Sequence, residues 1–230
     1  MLKNIYHGSE NIIKNPTFGK GSQFNDYGLA FYTTEDINLA KEWAVEKNRD
    51  GYVNHYELDM SGLSVLDLSS QEYNILHWLA ILVDNRVFDI QTDFGPEAKN
   101  FLKENFLPDY KNYDVIIGYR ADDSYFSFAQ DFLNNIISVR TLSKAMYLGG
   151  LGKQIAIKSE KAFNRLKFIE QSSAKSVEWY PKKEKRDSSA RHQYAALRNE
   201  SWKRGEVYMM TIMDEEMKPD DARLRPDITC

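Results

Sequence analysis

Gly28-Leu29-Ala30-Phe31-Tyr32-Thr33-Thr34 is the stretch on which the fold turns. After the glycine and two small or branched apolar residues come aromatic and β-branched side chains, which suit a pleated, half-buried surface, so 31–34 is expected as a short strand. Working outward, Ile5-Tyr6-His7-Gly8-Ser9 lies upstream and Gln154-Ile155-Ala156-Ile157-Lys158-Ser159 far downstream. All three stretches set a polar or aromatic side chain beside an apolar, β-prone run. A rigid strand holds functional atoms at a cleft wall in this way.

The surrounding pattern mixes helices and strands. Residues 2–6 read as a strand, followed by a loop containing Gly, Asn and Pro through about residue 27. Thr33 and Asp36 have the spacing of a capping-box variant ahead of a helix whose Ile37, Ala40, Trp43 and Ala44 share a face, with Trp43 turned toward Tyr32. Strands are expected at 51–58, 63–68, 154–158 and 166–169, and the apolar run Val115-Ile116-Ile117 suits a central strand. Helical spacing marks 71–83, a segment after Pro96, 126–136 and 142–148. Beyond 172 the composition changes. Residues 182–186 are charged, 187–203 can form a helix, 206–213 fits strand or helix, and 219–230 reads as a polar tail.

With 230 residues, 42% of them hydrophobic, the chain can bury one good core and a small appendage. A net charge of −4 leaves no global basic field to draw it onto nucleic acid or anionic lipid. The one cysteine, Cys230, stands at the last position, so the fold does not depend on disulfides. No apolar run approaches the roughly 18 residues of a membrane span, and no CxxC, His-rich tract or HExxH implies a metal. The expectation is a cytoplasmic protein with neither membrane nor metal partner. Phosphate loops of the P-loop and Rossmann kinds and a GxSxG nucleophile are also absent from the sequence.

In their order along the chain, the three stretches resemble the ADP-ribosyltransferase superfamily, which has His-Gly on the first strand, Tyr on the second, and Glu or Gln opening a later strand. Asp114-Val-Ile-Ile-Gly-Tyr-Arg-Ala-Asp-Asp-Ser-Tyr-Phe126 is similar to a bacterial domain-of-unknown-function family within it, DUF3990-like. The resemblance implies an α+β fold over 1–172, ADP-ribosyltransferase-like, with two split antiparallel β-sheets, flanking helices, and NAD bound between the sheets. Residues 173–230 are then a C-terminal extension (charged linker, helix and tail) packed on the body or presenting the target.

The resemblance also distributes roles. His7 bonds a ribose hydroxyl, the Gly8 backbone grips the nicotinamide carboxamide where a Cβ would obstruct, and Ser9 adds a hydroxyl. Tyr32 and Trp43 sandwich the cationic nicotinamide ring. Gln154 stands where many relatives carry Glu, and its amide can accept from the ribose 2′-hydroxyl without supplying negative charge. His7, Tyr32 and Gln154 are thus the catalytic candidates, with Glu160, Asp122 and Asp123 as nearby acids. Arg120 is assigned to the pyrophosphate, against the alternative of an ion-pair network with Asp122 and Asp123.

The implied activity is an NAD-dependent ADP-ribosyltransferase that modifies a macromolecule through an oxocarbenium-like transition state, in the style of a bacterial toxin or phage-defence effector. A toxin role brings a neutralising antitoxin protein as partner. The alternatives are an NAD or ADP-ribose-binding module without turnover and an NAD glycohydrolase. His55, His77 and His192 read as structural, and the basic stretch with Lys182, Lys183, Lys185, Arg186, Arg191 and Arg198 as a solvated helix face.

Overall fold

A computed structural model describes all residues except 89–93, 122, 151, 201–203 and 227–230, so Asp122 and Cys230 lie outside the described residues. The strand-forming runs pair into two sheets. β1 (Leu2–Ser9), β3 (Gly51–Asp59) and β7 (Leu166–Ala174) form an antiparallel sheet in the order β1-β3-β7. β2 (Phe31–Thr33), β6 (Lys153–Ile157), β5 (Val115–Tyr119) and β4 (Val65–Asp67) form the other, in the order β2-β6-β5-β4. The second sheet is mixed, which corrects the expectation of two antiparallel sheets: β4 runs parallel to β5, with Val65 opposite Val115. A parallel neighbour needs a long crossover, and residues 68–114 provide it with α2 (Ile75–Asn85) and α3 (Phe94–Phe106). The sheets meet where Tyr6 and Thr34 exchange backbone hydrogen bonds of 2.8 and 2.9 Å.

Pleat alternation divides the core. Val115, Ile117, Ile155 and Ile157 point from the mixed sheet toward Ile5, Tyr56, Leu58 and Phe168 of the antiparallel one. Leu66, Ile116 and Ala156 face the other way, onto Leu76, Leu79 and other side chains of α2 together with α4 (Asp123–Leu133) and α5 (Val139–Ala145). Helix α2 is apolar almost all round and is buried from Ile75 to Val83, as a helix at the centre of a core must be.

Several boundaries differ from the sequence reading. α1 (Ile37–Ala44) is capped by Asp36, whose carboxylate accepts from the Asn38 and Leu39 amides, and Thr33 instead lies in β2 and donates to the Ile155 carbonyl at 3.0 Å. Ile37 is exposed, and the buried face is Leu39, Ala40, Glu42 and Ala44. The turn expected between the last two strands contains α6 (Glu160–Phe163). β7 continues to Ala174, and α7 (Ser176–Arg198) follows at once, so residues 182–186 belong to a helix and not to a linker. Residues 206–213 resolve toward helix, as α8 (Met209–Asp214). Among the described residues no helix is long and apolar enough to cross a membrane, and no group of three or more His, Cys, Asp or Glu is gathered for a metal.

Candidate functional site

β2 sends neighbouring side chains to opposite faces. Phe31 enters the core between the sheets, and Tyr32 turns to the helix side. Tyr32 pairs with Ala156, so Gln154, two residues along β6, shares its face. There a cleft of about 620 Å³ opens, lined by Asp26, Tyr32, Trp43, Arg86, Arg120 and Gln154 on one side and by residues of α7 on the other.

Gln154 is 3% exposed, and its Nε2 donates to Asp26 Oδ2 at 2.8 Å and to the Tyr119 carbonyl at 3.1 Å. Both partners can only accept, so the amide orientation is settled. Oε1 is left as an acceptor that no described residue bonds. Asp26, also buried, accepts from the Ala121 amide at 2.8 Å and from the Arg86 guanidinium at 3.0 Å. Arg86 reaches on to the Ala121 carbonyl at 2.8 Å, which closes the network. The Tyr119 carbonyl takes two further donors, Tyr27 Oη at 2.7 Å and Trp78 Nε1 at 3.1 Å. Burial, with help from the Asp26 charge, pushes the Tyr27 phenol well above its ordinary range and keeps it a donor.

The polar end of Tyr32 is committed to its own loop. Its hydroxyl donates to the Gly28 carbonyl at 2.6 Å and accepts from the Tyr27 amide at 3.0 Å, and burial raises its pKa. What Tyr32 offers a ligand is its ring. Trp43 presents a ring already engaged by a cation, the Arg120 guanidinium 4.6 Å from its centroid. Its buried Nε1 has no acceptor among the described residues.

His7, Gly8 and Ser9 do not join this lining. His7 Nδ1 lies 2.7 Å from the Tyr32 carbonyl, an acceptor, so Nδ1 carries the proton and Nε2 accepts. The ring rests on Phe31 at 4.4 Å, on the face of β2 opposite the Tyr32 ring, and burial pushes its pKa down, leaving it neutral. The lack of a Cβ at Gly8 lets α1 lie directly on β1: a side chain there would collide with the Ala40 carbonyl oxygen. Ser9 donates to the Asn11 carbonyl at 2.6 Å and accepts from Asn54, a fully buried amide that gathers the loop after β1. Glu160 opens α6 and is likewise outside the cleft.

The sequence reading missed Asp26, Arg86 and α7. Asp26 sits in Asn25-Asp26-Tyr27-Gly28, which signals only a turn, and Arg86 follows α2 as an ordinary helix-end residue. For α7 a signal existed: Tyr180, Lys183, Glu184, Asp187 and Arg191 recur at helical spacing and form one stripe that lines the cleft, with Glu184 and Arg191 also exposed to solvent. Arg186 fastens the helix by bonding the Glu42 carboxylate of α1 through Nε at 2.7 Å and Nη2 at 2.5 Å, both side chains largely buried. Trp179 packs with Ala44, Val45 and Ala174 beneath it.

No curated protein and no solved structure matches this chain. Residues 3–168, which carry both sheets up to the third residue of β7, match a family described as "Protein of unknown function (DUF3990)", and the chain belongs to that family.

Proposed function

We propose that the chain is an NAD-dependent ADP-ribosyltransferase acting on a macromolecular target, within an ADP-ribosyltransferase-like variant of the α+β fold. The observation that carries this reading is the convergence of Tyr32, Trp43 and Gln154, from β2, α1 and β6, on one cleft beside Arg120. A Trp43 face that holds a guanidinium at 4.6 Å suits a cationic nicotinamide ring, with Tyr32 supplying a second aromatic surface.

In the proposed reaction the bond between the nicotinamide nitrogen and ribose C1′ breaks, its electron pair leaves with neutral nicotinamide, and positive character develops on the sugar. An acceptor nucleophile then bonds C1′ and gives up a proton. Gln154 Oε1 accepts from the ribose 2′-hydroxyl and orients it. The negative charge that Gln154 lacks lies directly behind it, on Asp26, 2.8 Å from its amide. Fixed charge of this kind lowers the barrier because it needs no reorganisation as the cation forms. The setting we propose is the cytoplasm, as a toxin or phage-defence effector with a neutralising partner protein.

One observation favours a second reading. Gln154 is uncharged, and Asp26 is bridged by Arg86 at 3.0 Å, which draws off part of its field; this suits an NAD or ADP-ribose-binding module with little turnover. Incubation of the purified protein with NAD, counting free nicotinamide with and without cell lysate, separates the readings. Transferase predicts release that rises with lysate and a labelled macromolecule. Equal release without lysate means glycohydrolase, binding without release means the binding module, and absence of NAD binding overturns all three.

A further inference from the structure

We propose that α7, which begins at Ser176 beyond the family match, completes the cleft as a cationic wall that holds a diphosphate. The proposal rests on the NAD reading of the cleft and assigns the part of the ligand between the two ribose groups to a helix read from sequence as solvated.

Charge is the first argument. The chain as a whole carries −4, yet the cleft lining holds Arg86, Arg120, Lys183, Arg186 and Arg191 against Asp26, Glu184 and Asp187, and an excess of one positive charge remains after Glu42, bonded to Arg186, is counted. The sign of the field is therefore reversed locally, as an anion site requires. Availability is the second argument. Among the described residues Lys183 has no carboxylate within ion-pair distance, and its one bond is a long 3.3 Å contact to the Val45 carbonyl. Arg191 is about half exposed and held only by Asp187, one turn away on its own helix at 3.0 Å. Such a surface pair contributes little, so its guanidinium can turn to a phosphate at small cost. Arg186 has the opposite character: its buried bond to Glu42 fixes the helix axis, so the two cations are presented from a rigid support.

Chemistry then selects the ligand. A lysine acts as a compact point charge and an arginine as a fork that spans two oxygens, and one of each on the same helix face, two turns or about 12 Å apart along the axis, suits an extended anion with two linked phosphates better than a single phosphate. Arg120 approaches from the opposite wall, above Trp43. The ligand class is a nucleoside diphosphate or a dinucleotide joined through one.

The test is calorimetric titration of the full chain with NAD, ADP-ribose, ADP and inorganic pyrophosphate. Lys183→Gln/Arg191→Gln is compared with Lys182→Gln/Lys185→Gln, which removes the same charge from the exposed side of the same helix. Melting curves verify that both variants are folded. We expect the first pair to weaken all four ligands by about 10- to 100-fold and the second by less than about twofold. Equal losses in both pairs, or an unchanged affinity in the first, overturn the cationic wall. If ADP and pyrophosphate bind and weaken as stated while NAD is neither bound nor cleaved, the wall stands and the transferase reading falls. If nicotinamide is released and the first pair leaves NAD affinity intact, the transferase reading stands and the wall falls.

Discussion

Gln154→Glu places a carboxylic acid at the buried end of the cleft, and the geometry predicts that it destabilises the protein. The new carboxylate oxygen would take the place of Nε2, 2.8 Å from Asp26 Oδ2. Two negative charges about 3 Å apart repel by about 5–6 kcal/mol at an effective dielectric constant near 20. Holding one proton between them is cheaper. For a carboxyl with an ordinary pKa near 4.3, protonation at pH 7 costs about 2.7 × 1.36, or about 4 kcal/mol, and at pH 5 about 1 kcal/mol. The introduced group thus has a folded-state pKa raised above its unfolded value. Its contribution to stability is fully present below about pH 4.3 and is lost as pH rises toward the raised value. Urea unfolding followed by tryptophan fluorescence should show a deficit against the parent protein that grows from pH 5 to pH 7. Asp26→Asn/Gln154→Glu removes one of the two facing charges, at the cost of the Asp26 bonds to Ala121 and Arg86, and should abolish most of the growth of the deficit with pH. A deficit independent of pH in the single variant, or a growth with pH retained in full by the double variant, refutes the reasoning. The same geometry bears on activity, since a protonated carboxyl lends no charge to the sugar: faster NAD cleavage is expected from the double variant, and from the single variant only at alkaline pH.

Gly8→Ala should cost about 1–3 kcal/mol in unfolding free energy, or prevent folding, because the added methyl meets the Ala40 carbonyl and α1 must lift from β1. Trp43→Ala should weaken NAD binding about 5- to 30-fold in calorimetry and Trp43→Phe by less, as expected for a ring that holds a cation. Arg120→Ala should raise the Kd for NAD, and an unchanged value would remove Arg120 from the site. Burial holds the pKa of His7 below that of the unfolded chain, so the unfolded state takes up the extra proton and stability falls as pH drops through about 6.5 toward the depressed value. The melting temperature of His7→Gln should therefore vary less between pH 7 and pH 5 than that of the parent, with the remaining slope including His77, which is shifted the same way.

Much of the sheet framework was legible because strands and core helices are written in periodicity. The apolar run 115–117 became the buried strand β5, and the spacing in 71–83 became α2, the most deeply buried helix. Tyr32, Trp43 and Gln154 were legible as a group only through family resemblance, since each alone reads as packing. The position of His7 was not legible, because its partner is the Tyr32 backbone carbonyl and no side-chain pattern marks a carbonyl. Asp26 was hidden for a related reason: a turn residue acquires its role only when β6 brings Gln154 to within 2.8 Å. In α7, Lys182, Lys185 and Arg191 are exposed as expected, whereas the burial of Arg186 was not legible, because spacing defines a stripe but not what it faces. That depended on Arg186 finding Glu42, 144 residues away in sequence.

The Tyr119 carbonyl, with the phenol of Tyr27, the indole of Trp78 and the amide of Gln154 upon it, has a consequence for how the pocket assembles. The shared acceptor is main chain, so no replacement of the side chain at 119 deletes it. A slip of β5 by one residue would carry that oxygen away from a loop, a helix and a strand at once. Correct registration of β5 is therefore a shared condition for all three groups to meet in the finished pocket.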